Sequence, residues 1–122
     1  MSTLLTTFLT FQNQMRIYHW RTHSYARHKA SGHLYEDIDK LIDQFIETLQ
    51  GKTERITYDQ ITIKLFPLQD EEMVELLTNF AVFLEEKVEA YLKKLGNSSD
   101  LKNIRDEMVG KVNQTKYMFT LQ

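Results

Sequence analysis

One proline interrupts this chain. Pro67 is the single residue in 122 that lacks a backbone donor, and only four glycines accompany it. Proline and glycine cost a helix most, about 3 and 1 kcal/mol relative to alanine. A chain so poor in both is read as long unbroken elements, and its periodicity makes those elements helices.

Over residues 3–22 the apolar positions Leu4, Leu5, Phe8, Phe11, Met15 and Tyr18 make one stripe at helical spacing, and His19 continues its flank. A tight turn is expected near 22–24, with Ser24 as the N-cap of a second helix over 25–50. In that helix Leu34, Ile38, Leu41, Ile42, Phe45, Ile46 and Leu49 fall within an arc of about 140°. Gly51 is the expected terminator. Residues 52–69 break the period: Ile61, Ile63 and Leu65 alternate with polar residues before Pro67, so this is an extended connection with room for one short strand.

Asp70 is expected to cap a third helix over 70–95, with Glu71 and Glu72 favouring its dipole. Its stripe is Met73, Leu76, Leu77, Phe80, Leu84, Val88, Tyr91 and Leu95, closed by Gly96-Asn97. Ser98 or Ser99 caps a fourth helix, 99–120, with Leu101, Ile104, Met108, Val112 and Phe119 inward.

Connection lengths choose the topology. The short links make helices one and two antiparallel, and likewise three and four. The middle link of about 18 residues can reach roughly 60 Å, more than the length of the second helix at about 1.5 Å per residue. The expected fold is all-α: one domain, 1–122, a ferritin-like four-helix bundle with one long crossover between helices 2 and 3. With 42% hydrophobic and 26% charged residues the chain can fill such a core unaided.

The absence of cysteine excludes disulfides, thiolate metal sites and cysteine nucleophiles. The four histidines, His19, His23, His28 and His33, lie within 15 residues of one another. Ferritin-like bundles place Glu-x-x-His on two helices; no glutamate here has histidine three positions on. Carboxylates Asp39, Asp43 and Glu47 instead repeat every four residues on the second helix. With Leu34 at 0°, Asp43 sits near about 180° and Glu47 near about 220°, off the core face. Imidazole plus carboxylate suits Fe(II), Zn(II) or Mn(II). Two readings stay open: a solvated acidic face, or a metal site that a second subunit completes. His19 and His23 also form an i, i+4 pair, whereas His33, near about 260°, reads as a surface residue.

Tyr18-His19-Trp20, then His28, Tyr35, Asp43, Glu47 and Gly51 resemble the Dps mini-ferritins over residues 12–51. Those are small ferritin-like proteins that oxidise Fe(II) at centres between two-fold-related subunits. Position by position, the resemblance implies a metal and catalytic site of His19 and His28 from one chain with Asp43 and Glu47 from another, Trp20 lying beside it. Where that family has an acidic ligand four residues after its second histidine, this chain has Gly32. The interval from His-Trp to His28 is also a few residues shorter. One strong and one weak metal position would follow. The His-Trp…Tyr-Ala-x-His-Lys run is similar, too, to small uncharacterised proteins of large DNA viruses.

The resemblance implies iron as the metal, with Zn or Mn as substitutes, and a homo-oligomer of at least two copies acting as a ferroxidase. The alternative is a non-catalytic ferritin-like bundle serving as a structural or assembly subunit, virion-associated if the viral similarity holds. The net charge of −2 and the lack of Lys or Arg before Arg16 argue against nucleic acid as a partner. No apolar run long enough to span a membrane and no signal-peptide pattern occur, so an intracellular, membrane-free protein is expected.

Overall fold

The computed structural model describes residues 2–121. The helices are α1 (Ser2–Arg21), α2 (Tyr25–Lys52), α3 (Asp70–Val82), a π-helical turn (Phe83–Val88), α4 (Glu89–Leu95) and α5 (Ser99–Met118). The segments from Asp70 to Leu95 run on as the third long helix, so the fold is an all-α four-helix bundle. Among the described residues there is no strand, and residues 54–69 are irregular or extended. No helix of the described residues is long and apolar enough to cross a membrane.

Contacts at the two ends fix the directions. Asp70 at the start of α3 meets Tyr18, Thr22 and Arg27, while Lys52 at the end of α2 meets Asp100 at the start of α5. Arg27 also reaches the Phe119 carbonyl beyond α5. The third helix is therefore parallel to α2, and the link between them travels the whole bundle. One long crossover between antiparallel hairpins is the ferritin-like connectivity.

The core is aromatic where α1 faces the third helix. Phe11 stacks on Phe80 at 3.7 Å, and Phe8 meets Phe45 and Phe83 edge-on at 5.7 and 5.9 Å. Met15, Ile38, Phe45, Leu77, Leu84 and Met108 are fully buried around them.

Several ends differ from expectation. Ser24 caps α2 as predicted, accepting from Arg27 N–H at 3.2 Å. Gly51 does not stop α2, which continues to Lys52; Thr53 ends it, its N–H and hydroxyl both donating to the Leu49 carbonyl. Asp70 is the first residue of α3 rather than its cap. Gln69 holds the cap position and its N–H donates to Glu72 at 2.8 Å, freeing the Asp70 carboxylate for Tyr18 and Thr22. Ser98 holds the cap position of α5 but gives its hydroxyl to the Leu92 carbonyl.

The π turn answers a spacing of fours. Phe80, Leu84, Val88 and Leu92 are all buried. In an unbroken α-helix each step of four turns the stripe by about 40°; the wider turn keeps it inward. Arg105 of α5, itself buried, donates to the Leu84 carbonyl at 3.1 Å and pairs with Glu89 at 2.9 Å and Asp106 at 2.7 Å.

Candidate functional site

The three-residue connection after α1 folds the hairpin so tightly that His19, near the end of α1, faces the first turn of α2. The His19 and His28 imidazoles stack with centroids 3.9 Å apart and planes 16° from parallel. The His19 Nδ1–H donates to the His28 carbonyl at 2.7 Å, and the His28 Nδ1–H donates to the His19 carbonyl at 2.8 Å. A carbonyl only accepts, so both rings carry their proton on Nδ1 when neutral, and both Nε2 atoms keep a lone pair. The His19 carbonyl is one of the last four of α1, which have no partner within their own helix, so His28 also serves as a C-terminal cap.

Three neighbours shape the pair. The fully buried Ser31 hydroxyl donates to the His28 carbonyl at 3.2 Å and lies 3.3 Å from His19 Nδ1. Tyr35 meets the His19 ring edge-on at 5.2 Å, with the Arg16 guanidinium 5.1 Å over the tyrosine ring. Gly32 has no side chain because His19 occupies that space: a Cβ there would stand 2.8 Å from His19 Cε1. The position at which the resemblance expects an acidic ligand is thus filled by the first histidine.

Asp43 and Glu47 are exposed on the outer face of α2. Asp43 is 15 residues beyond His28, roughly 22 Å along the helix, so the four predicted site residues do not meet within one chain. Among the described residues no group of three or more His, Asp or Glu gathers to hold a metal. Asp39 is spent inside the chain, taking Arg16 at 2.7 Å and Gln12 at 3.0 Å. Asp43 and Glu47 instead flank an open groove of ≈ 500 Å³ between α1 and α2, with Leu5, Leu9 and Ile46.

The remaining histidines separate. His23 lies past the end of α1 at Arg21, so it is not an i, i+4 helical mate of His19. It borders a small pocket of ≈ 140 Å³ with Tyr18, Arg21 and Asp70. His33 is exposed as expected, yet it rims the depression of ≈ 320 Å³ over the stacked rings, with Tyr25 and Lys29. Trp20 is 67% exposed and makes no ring contact with the pair. Tyr25, Ser31 and the role of Gly32 were not visible as site features in the sequence.

The ring geometry limits the chemistry. An imidazole binds a metal in its own plane at about 2.0–2.1 Å from the nitrogen. Two rings with centroids 3.9 Å apart and planes 16° from parallel have planes that meet far beyond that reach, so the pair cannot converge on one ion.

A polar network closes the same end of the bundle. Tyr18 donates to Asp70 at 2.6 Å, and Arg27 donates to the Tyr18 oxygen at 3.1 Å. Burial pushes the Tyr18 hydroxyl above its usual range, and Asp70 adds to this by accepting its proton.

A protein-family model described as a family of unknown function (DUF5856) matches residues 19–119. No curated protein and no solved structure matches the chain.

Proposed function

The chain belongs to the DUF5856 family of unknown function, and we propose that it is a self-associating bundle that binds divalent transition metal between two copies. His19 and His28 of one copy would meet Asp43 and Glu47 of a second, as in the Dps mini-ferritins that residues 12–51 resemble. The observation that carries this reading is the reciprocal Nδ1 bonding of the histidine pair. Metal-binding histidines almost always donate the other ring N–H to a carbonyl, carboxylate or water, which fixes tautomer and orientation. Here both rings meet that condition before any metal binds.

The donor set fits the metal. Neutral imidazole and carboxylate suit Fe(II), Zn(II) and Mn(II). The near-parallel rings favour two ions over one, and Gly32 stands where the resemblance expects the acid that would bridge them. The apolar groove flanked by Asp43 and Glu47 offers a surface for the second copy. With Fe(II) as substrate, a pair of ions would supply two electrons to O2 or peroxide. The chain's own work is then to hold the rings in one tautomer, to supply negative charge from Asp43 and Glu47, and to exclude bulk water at the contact.

A second reading has one observation in its favour. The same Nδ1 bonds staple α1 to α2, which suits a purely structural bundle, the assembly subunit of the alternative. Light scattering with metal analysis before and after anaerobic Fe(II) loading separates the two. A dimer or larger assembly that takes up iron and oxidises it on exposure to oxygen supports the first reading; a monomer that binds none sinks it. Asp43→Asn with Glu47→Gln should abolish fast oxidation while sparing the fold.

A further inference from the structure

The crossover has a property that neither the histidine pair nor the bundle core explains. It is pinned at both ends and unpaired between. Gln50 accepts from the Ile56 N–H at 3.0 Å; Gln14 accepts from the Phe66 N–H at 3.0 Å and donates to its carbonyl. From Thr57 to Leu65 the backbone makes no hydrogen bond within the described residues. The segment is drawn out, because α2 alone measures about 42 Å and some 17 residues must return along it. Backbone groups so aligned and unpaired are a template for another strand.

The pattern along the segment is self-complementary. Both backbone groups of Phe66 face Gln14, so in an extended run those of Lys64 and Thr62 turn the same way and those of Ile63 and Ile61 turn outward. An antiparallel pairing of two copies about Thr62 sets Ile61 against Ile63, Thr62 against Thr62 and Gln60 against Lys64. β-Branched and Thr–Thr pairs are among the favourable cross-strand neighbours. Ile61 and Ile63 are half-buried, while Thr62 and Lys64, which alternate with them, are exposed.

We infer that residues 60–64 form a strand-pairing contact with the same residues of a second copy, related by a two-fold axis at Thr62. Gln14, which anchors the segment, lies on the other flank of α1 from Leu9, Gln12 and Arg16. This contact therefore leaves the metal-binding face free and needs none of its residues.

A cysteine-free chain allows a direct test. Opposed residues of a non-hydrogen-bonded pair have Cα atoms about 4.5 Å apart, within the roughly 4.4–6.8 Å span of a disulfide. Thr62→Cys treated with diamide should become a covalent dimer almost completely at micromolar concentration. Lys64→Cys should stay at least tenfold less cross-linked, because the two copies of residue 64 are offset by roughly 13 Å. Adding Ile63→Pro to Thr62→Cys removes an outward N–H and should abolish the cross-link, while circular dichroism reports the helices intact. Equal cross-linking of Thr62→Cys and Lys64→Cys, no cross-linking of either, or a dimer that survives Ile63→Pro would overturn the inference.

Discussion

The His19 ring lies 3.9 Å over the His28 ring, and each gives its Nδ1 proton to the other's backbone carbonyl. Two histidines nine residues apart thus act as one unit, joining the end of α1 to the start of α2. Gly32 exists for this unit, and its replacement separates the unit from the fold.

Gly32→Ala sets a methyl group against the His19 ring. Alanine favours the helix by about 1 kcal/mol over glycine, and a displaced ring forfeits about 0.5–1.5 kcal/mol per hydrogen bond. Thermal stability should therefore change little, while 15N spectra lose the Nδ1–H tautomer of both histidines and metal affinity falls. Unchanged histidine spectra would show that the ring had not needed the space. Gly51→Ala and Gly110→Ala, which meet nothing, should each stabilise by up to about 1 kcal/mol.

Arg105→Met keeps the bulk and removes the fork. The Leu84 carbonyl then loses its side-chain donor, and leaving a buried acceptor unsatisfied costs about 1–3 kcal/mol. Urea unfolding should show that loss; a variant as stable as the parent would mean the π turn holds itself.

Glu89 is held below its usual carboxylate range by the hydrogen bond from Arg105, with Lys102 adding to it. Its folded value is depressed, so its contribution is present above the ordinary value of 4.5 and fades as pH falls through the folded one. The stability difference between the parent and Glu89→Gln should be constant from pH 7 to pH 5 and shrink below pH 4. A difference that grew in acid would contradict the assignment.

Tyr18 behaves in the opposite sense. Its folded value is raised by burial and by its bond to Asp70, so its share of stability is complete below the ordinary value of 10.0. It declines as pH rises toward the folded value. Tyr18→Phe should be less stable than the parent by about 0.5–1.5 kcal/mol at pH 7. The gap should narrow above pH 10, measured by urea melts; a gap that stayed constant or widened would contradict a raised Tyr18 value.

Much of the fold is legible in the chain because it rests on local periodicity. The helical stripes, the Ser24 cap and the long crossover each follow from neighbours in sequence. Elements that depend on tertiary contacts do not. Asp70 looks like a cap until Tyr18 and Thr22 claim its carboxylate, and Gly51 looks like a stop until Thr53 offers a better one. The π turn left one readable sign, the buried run Phe80, Leu84, Val88 and Leu92 at constant steps of four. Gly32 left none, since only the folded hairpin brings His19 over it. The structure unites His19 with His28 and keeps Asp43 and Glu47 apart from them, so the proposed site rests on pairing two chains.

That pairing is tested most directly by complementation. One variant carries His19→Ala with His28→Ala, the other Asp43→Asn with Glu47→Gln, and Co(II) binding is followed by its visible absorption. Each variant alone should bind little. Refolded together in equal amounts, they should recover about a quarter of the parent's sites, because half the two-fold dimers are mixed and each keeps one complete site. No recovery on mixing, or parental binding by the carboxylate variant alone, would contradict a site shared between chains.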